Sequence, residues 1–507
     1  MQAGSLTWFG AHEIRLAWRD WMSMMTAGQR RSERFAYVGI AVLALGFLAL
    51  AYGLLAGPLA EGVTADTPTF VLMSGLYALA FSLMVPQAIE SVTRAFYARA
   101  DLDLLLSSPV SERTLFTVRV LAIVVQTSAL ALFLILPFMA VAVMIDGARW
   151  LAVLPSVFAL AAIATSLALL VTFLLFNLIG PRRTRLVAQI VAAVTGACFL
   201  IGTQIAAIMM FGEMSRVKLF QSEEVLRIMP GVDSVVWLPA RALLGEPVAL
   251  LTTTAASALL LTVVIFAFAG RFGRTVLIAA DVGEGAVKAR TPGRFKCRTP
   301  KQALRQKEWR LLKRDPWLVS QTLMQVFYLL PPAILLWRNY SAETVATVII
   351  TPVLVMAVGQ LAGGLSWIAI SGEDAHELVE TAPVSARIRT VAKIEAVLAA
   401  IAVAAAPLVL AIGIVHPWVG LVCVVSIACA SASAVCIQLM FRSHARRSQF
   451  RRRQTASKVS TFAEAFSSIS WAGFSVMAAA QSLWALIFLV AAGGVLLVAY
   501  CLSPRRA

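Results

Sequence analysis

The sequence predicts an all-α fold, a polytopic transmembrane bundle of about twelve helices arranged as two parallel six-helix repeats. Three observations predict it. Hydrophobic residues make up 60% of the 507-residue chain and charged residues only 14%, whereas a soluble domain averages roughly 45 to 50% apolar and about 25% charged. Long apolar runs recur along the chain, and Lys and Arg are concentrated in alternate gaps between them.

Twelve apolar runs approach or exceed the roughly 20 residues that a helix needs to cross a hydrocarbon core of about 30 Å. Helices are expected because a backbone in lipid must satisfy its own hydrogen bonds, and these runs are too long for barrel strands. The runs lie near residues 35–57, 70–89, 114–145, 150–178, 186–211, 247–270, 317–337, 345–371, 388–415, 418–441, 459–480 and 482–502. The last two runs form a tight pair that could instead be a single element.

Loop charges predict the orientation of these spans. Residues 271–314 carry thirteen Lys or Arg against three acids, and residues 442–458 carry seven bases, whereas the gap after the first run has only Glu61 and Asp66. Cytoplasmic loops retain positive charge. The pattern therefore predicts a multi-pass protein of the cytoplasmic (inner) membrane with both termini in the cytoplasm. It also attributes the net charge of +17 to loops and not to nucleic-acid binding.

Two short patches occur twice, in the same order and at the same place in the predicted topology. Residues 13–20 match residues 308–315, and residues 103–111 match residues 377–385; in the extension of the second match Arg113 aligns with Arg387, and Arg119 aligns with Lys393. All four copies fall on the cytoplasmic side, so an even number of spans separates each pair and the repeat is parallel. The predicted divisions are a first six-span half (1–270), a basic cytoplasmic linker (271–307) and a second six-span half (308–507).

The first patch predicts an amphipathic helix that lies at the cytoplasmic membrane surface. In the first copy Ile14 and Trp18 share an apolar face at helical spacing, whereas Arg15 and Arg19 can reach phosphates or solvent. An ordinary charged flank that only orients the first span is the alternative. The predicted residues of the two interface helices are Glu13, Arg15, Trp18 and Arg19, and Glu308, Arg310 and Arg314.

The second patch forms two cytoplasmic elbows, which we define as residues 101–111 and residues 373–385. Each combines acids with leucines and ends at a Pro-Val-Ser sequence, so Pro109 and Pro383 are expected to stop a short helix before the next span. Such a helix is suited to dock in a groove of a soluble partner; a plain re-entry turn is the alternative. The predicted docking residues are Asp101, Asp103, Leu104, Leu105 and Pro109, and Glu373, Asp374, Glu377, Leu378 and Pro383.

With these patches the chain resembles the permease subunits of type 2 ABC exporters. In that family an amphipathic interface helix precedes the first span, and a coupling helix with a similar leucine and Pro-hydrophobic-Ser ending contacts the nucleotide-binding subunit. The resemblance covers nearly all of each half and implies two six-span units fused in one chain. It further implies an ATP-binding cassette ATPase dimer and the lipid bilayer as partners, with ATP and Mg used by the ATPase and an unknown transported substrate.

Several kinds of chemistry are not expected of this chain. No Gly-x-x-x-x-Gly-Lys-Ser/Thr phosphate loop occurs in the sequence, which places the ATPase on a separate chain. The acids around His376 could suggest a metal site, but a solvated helix start is the simpler interpretation. We therefore expect no metal, no cofactor and no catalytic residue in this chain, and a transporter permease instead of an enzyme.

Two other function classes stay open at this point. A twelve-span secondary carrier coupled to an ion gradient is the first, although charged side chains are nearly absent from span centres and Glu90 lies at a span end. A membrane-embedded enzyme acting on lipids or glycans is the second, for which only the loop at 373–380 has clustered acids. The polar residues best placed to line a pathway, or to bridge helices, are Gln87, Asn177, Gln189, Gln204, Gln360 and Gln438.

Overall fold

The structure is a computed structural model, and all regular secondary structure in the residues it describes is helical. Those residues are 15, 33–60, 62–97, 111–211, 220, 222–270, 299–314, 327, 330, 331, 334, 344–371, 379, 381–441, 458–501 and 503.

Fourteen helices are described over these ranges, with 3₁₀ turns at Ala148–Ala152 and Val235–Trp237. The helices are α1 (Glu33–Ala60), α2 (Thr67–Tyr97), α3 (Glu112–Asp146), α4 (Val153–Ile179), α5 (Pro181–Phe211), α6 (Glu223–Ile228), α7 (Leu238–Leu243), α8 (Pro247–Ala269), α9 (Pro300–Arg314), α10 (Thr344–Ser371), α11 (Ala386–Val415), α12 (Pro417–Met440), α13 (Lys458–Ala479) and α14 (Ala485–Cys501).

The prediction of an all-α transmembrane bundle is confirmed. Eleven of the twelve predicted runs coincide with described helices, and eight helices in the described ranges are long and apolar enough to cross a membrane. The tight pair near the carboxyl end is two helices, because the chain turns through residues 480–484 between α13 and α14. The seventh run, near 317–337, lies mostly outside the described residues, but its positions 327, 330, 331 and 334 are described and all four are helical.

The chain divides into two compact units, and the described part of the first unit holds α1 to α4, most of α5, and α6 to α8. Its central helix is α4, which packs against α2, α3 and α8. Alanine and serine line much of α4, so its neighbours approach closely, and Phe173 stacks on Phe268 of α8 with ring centroids 4.1 Å apart. The neighbouring helices keep many leucines exposed, as expected for surfaces that face lipid.

Residues 222–246, between α5 and α8, form a small cap on the first unit. Trp237 is buried, stacks on Phe70 at the start of α2, and donates its indole N–H to the carbonyl of Gly231 at 3.1 Å. The indole thereby buries its ring and satisfies its one polar group. Nearby, Asp146 accepts hydrogen bonds from Arg149 and from Trp150. Asp146 and Arg149 are the two charged residues between the third and fourth predicted spans, and they neutralise each other.

The second unit holds the described helices α9 to α14. Here α10 and α12 are the most buried, and both pack against α11 and α13; α14 packs mainly on α13. The indole of Trp418, at the start of α12, donates to the carbonyl of Ala478 at 3.2 Å, and the Ser503 hydroxyl donates to the carbonyl of Met440 at 2.9 Å. These bonds tie both ends of α12 to the last hairpin.

Candidate docking elbows and membrane-surface helix

The second copy of the interface patch is part of a helix, α9, whose start is explained by its sequence. Thr299 and Gln302 form a capping box, in which each side chain accepts from the backbone N–H of the other at 3.4 Å, and Pro300 occupies the first helical position. The helix therefore begins inside the segment predicted as linker. It carries six Lys or Arg against the single acid Glu308, a composition suited to anionic lipid headgroups.

Helix α9 is held against the start of α11. Arg305 Nε lies 2.5 Å from Glu395 Oε2, and this hydrogen bond holds the pKa of Arg305 above its usual value. Both side chains are about half exposed, so the pair orients the helix more than it stabilises the fold. The contact joins α9 to the span that follows the second elbow.

The predicted interface residues have different environments. Glu308 is 2% exposed; Lys307 Nζ donates to its Oε1 at 3.1 Å, and its Oε2 has no hydrogen-bond partner among the described residues. Arg310 is exposed, and Arg314 ends the helix. In the first copy Arg15 is helical and exposed, whereas Glu13, Trp18 and Arg19 lie outside the described residues.

The structure describes only the end of the second elbow. Residues 381–384 form a bend in which Pro383 is exposed, and the guanidinium of Arg389 donates to the carbonyl of Val379 at 2.5 Å. The remaining predicted docking residues lie outside the described residues: Asp101, Asp103, Leu104, Leu105, Pro109, Glu373, Asp374, Glu377 and Leu378.

Both elbows lead into the following span through the same local structure. Ser111 caps α3 with φ −64° and ψ 138°, and Ser385 caps α11 with φ −62° and ψ 144°. The Ser111 hydroxyl accepts from the N–H of Thr114 at 3.2 Å, and the Ser385 hydroxyl accepts from the N–H of Ile388 at 3.4 Å. Each elbow therefore ends at a fixed helix start, which positions it relative to the span.

Removing either cap is expected to loosen the corresponding junction. Ser111→Ala or Ser385→Ala should each cost about 1 kcal/mol of helix stability, because one backbone N–H of the first turn loses its acceptor. Hydrogen exchange of the first turn of α3 or α11 in detergent-purified protein measures the effect. Asp at the same position should retain protection, and equal protection in the Ala and Asp variants would contradict the capping role.

A buried cation follows each cap at the same distance. Arg119 on α3 and Lys393 on α11 are both eight residues after the capping serine, about 12 Å along the helix, and are 4% and 8% exposed. Both make further interactions within the protein. The repeat alignment pairs these two positions, but sequence reasoning did not single them out, because a base near a span end usually reaches the membrane surface.

A polar junction lies where α10, α12 and α13 meet. The sequence named Gln438 as a residue that could bridge helices, but not Glu464 as its partner. The Gln438 amide on α12 donates to the Glu464 carboxylate on α13, and the Trp471 indole donates to the buried Ser433 hydroxyl at 3.0 Å. Gln438 thus bridges two helices, as does Gln87, which donates to the carbonyl of Gln126 at 3.3 Å. The available sequence signal was Gly359-x-x-x-Gly363, a small-residue spacing that permits close helix packing.

These helices define the class of the protein: it is an all-α, multi-pass protein of the lipid bilayer. The chain belongs to the family described as membrane proteins of 12 TMs, whose model matches residues 35–504. No curated protein and no solved structure matches it. Within the described ranges no group of three or more His, Cys, Asp or Glu is placed to hold a metal ion.

Proposed function

We propose that this chain is the membrane-spanning permease of an ATP-binding cassette exporter, and that it moves a substrate across the cytoplasmic membrane with ATP hydrolysed by a separate subunit. The chain itself would then be no enzyme and would bind no cofactor; ATP and Mg would act on the partner. The observation that carries the proposal is the repeated junction of elbow, serine cap and buried cation at the starts of α3 and α11.

This junction suits the transmission of force. A docked elbow that moves would act on the amino end of a helix 30 or 35 residues long, about 45 to 53 Å. The capping bonds keep the moving end helical, and the buried cation fixes it to its neighbours within three turns. In the second half the ion pair between Arg305 and Glu395 also connects the proposed membrane-surface helix, α9, to this junction.

Two elbows in one chain favour a two-fold partner, because each elbow would occupy an equivalent groove of one ATPase subunit. The proposed arrangement therefore pairs one fused permease with an ATPase dimer. Both termini and both elbows would lie in the cytoplasm, on the side where ATP is available.

The second candidate function is an ion-coupled twelve-span transporter. One observation favours it: Glu464 places a carboxylate inside the helix packing of the second unit, where it contacts Gln438. Sequence reasoning argued against ion coupling because carboxylates are scarce in span centres. Glu464 lies six residues into α13, so it weakens that argument without replacing the elbows as the main observation.

Association with an ATPase tests the proposal. When the chain is purified from native membranes, Leu105→Asp or Leu378→Asp should abolish the co-purification of a second chain that contains a phosphate loop. The ATPase activity of the purified material should be lost as well, because the substituted charge would enter an apolar docking groove. Leu483→Asp is the matched control, since Leu483 is exposed in the turn between α13 and α14, on the face predicted to be external. Unfolding temperatures of all three variants should match that of the parent.

Two results would contradict the proposed function. If the purified chain alone moved cargo into vesicles under an ion gradient without nucleotide, the ATP-driven proposal would be wrong and the ion-coupled function would take its place. Retention of the same ATPase by the Leu378→Asp variant would contradict the docking role of the second elbow.

A further inference from the structure

The bend between the second elbow and α11 leaves one backbone carbonyl without its usual donor. In a continuing α-helix the carbonyl of Val379 would accept from the N–H of residue 383. Residue 383 is a proline, which has no N–H. Val379 is helical and residues 381–384 form the bend, so this carbonyl lies at the end of its helix and needs a donor from elsewhere.

Arg389, the fourth residue of α11, supplies that donor. Its Nη1 lies 2.5 Å from the carbonyl oxygen of Val379, and its side chain is half-buried. A hydrogen bond from a charged donor is stronger than one between neutral groups. A cation also interacts favourably with the carboxyl end of a helix. A side chain of the span therefore caps the end of the elbow that precedes it.

Two further sets of bonds hold the same stretch of chain. Within the bend, the N–H of Val384 donates to the carbonyl of Ala382 at 2.7 Å, which closes a tight turn. At the helix start, the Ser385 hydroxyl caps α11, and the Ser385 carbonyl accepts from the N–H of Arg389 at 3.2 Å. The bonds at the bend, at the cap and at the guanidinium together tie the end of the elbow to the first turn of α11.

The first half differs at the equivalent position. The repeat alignment that pairs Arg113 with Arg387 also pairs Pro109 with Pro383, and it places Leu115 where the second half has Arg389. Leu115 is buried, with 4% of its surface exposed, and its hydrocarbon side chain has no donor. The two junctions thus share the serine cap and the buried cation, but the equivalent residue of the first half is unable to form this bond.

We propose that Arg389 is a positioning residue that makes the second elbow and α11 move as one unit. This inference rests on the proposed function, because it takes the elbow to be the element on which the ATPase acts. Arg389 would not itself touch the ATPase; it would pass the displacement of the elbow to α11 through the Val379 carbonyl. The two elbows are then unequal levers, and the second depends on a side chain that the first half replaces with leucine.

Hydrogen exchange of the full chain in detergent tests whether Arg389 fixes the elbow. Arg389→Leu, which copies the residue of the first half, should speed exchange of the amides in residues 379–385 on the order of tenfold, because a hydrogen bond from a charged group is lost. Arg389→Lys keeps a charged donor and should restore part of the protection. Arg387→Leu is the matched control, since it removes the same charge from an exposed side chain two residues earlier and should change nothing. Unchanged exchange in α12 would show that each variant is folded.

The same measurement on the complex purified with its ATPase tests the transmission of movement. A non-hydrolysable ATP analogue should change exchange in the first turns of α11 in the parent and in Arg387→Leu. In Arg389→Leu this response should be lost although the ATPase stays bound, a result that a purely local structural role would not produce. Equal exchange of residues 379–385 in Arg389→Leu and the parent, or a retained nucleotide response, would overturn the proposal. If no ATPase accompanied the parent chain, the proposed function would fail, and exchange of the elbow alone would decide whether Arg389 fixes it to α11.

Discussion

Reversing the charge of Lys393 or of Arg119 is expected to destabilise the protein by about 3 to 5 kcal/mol, the range found when a buried charge loses its compensation. Both cations are nearly inaccessible to solvent and both interact within the protein. A carboxylate at either position would replace the cation in those interactions, and water could not solvate it. Lys393→Glu and Arg119→Glu should therefore lower the unfolding temperature by similar amounts.

Two exposed arginines near the same helix starts provide controls, because the same charge reversal there is not expected to destabilise the protein. Arg113 and Arg387 are exposed and are the second helical residues after Ser111 and Ser385. A negative charge in the first turn interacts favourably with the helix dipole, by about 0.3 to 1 kcal/mol. Arg113→Glu and Arg387→Glu should therefore leave stability unchanged or raise it slightly.

Thermal or denaturant unfolding of the four purified variants measures these differences. If Arg119→Glu destabilised the protein and Lys393→Glu did not, the two junctions would differ energetically despite their common geometry. The inference that both halves transmit force in the same way would then lose its support.

The fold was predictable because it depends on properties that sequence carries locally. An apolar run of bilayer length has to form its hydrogen bonds within itself, so α1 or α8 can be recognised without knowledge of any neighbour. The start of α9 could also be read locally, because Thr299, Pro300 and Gln302 act through their own backbone.

The features that sequence reasoning missed depend on neighbours that are distant in the chain. Glu464 is one acid in an apolar helix, and its hydrogen bond with Gln438 joins residues on different helices. Trp237 is a further example, since its stacking partner Phe70 comes from the second span. Hydropathy averages each helix over its whole circumference, so it does not report which polar residues face one another.

Close packing at Gly363 leads to the second prediction of large effect. Gly363→Leu is expected to destabilise the second unit by about 1 to 3 kcal/mol, because the new side chain would occupy the space of the Glu464 carboxylate and force α10 and α13 apart. This loss of stability should appear even though leucine favours a helix over glycine by roughly 1 kcal/mol.

Gly493→Leu is the control that separates the effect of close helix packing from the effect of helix propensity. Gly493 is exposed on α14, and no atom lies within 4 Å of its missing Cβ, so the substitution should be neutral or stabilising. A double-mutant cycle identifies the colliding group: Glu464→Ala should relieve much of the cost of Gly363→Leu, because the two positions share one space. Additive effects of the two substitutions in thermal unfolding would show that the side chain at 363 clashes with some other part of α13, and the close approach of α10 to the Glu464 carboxylate would be wrong.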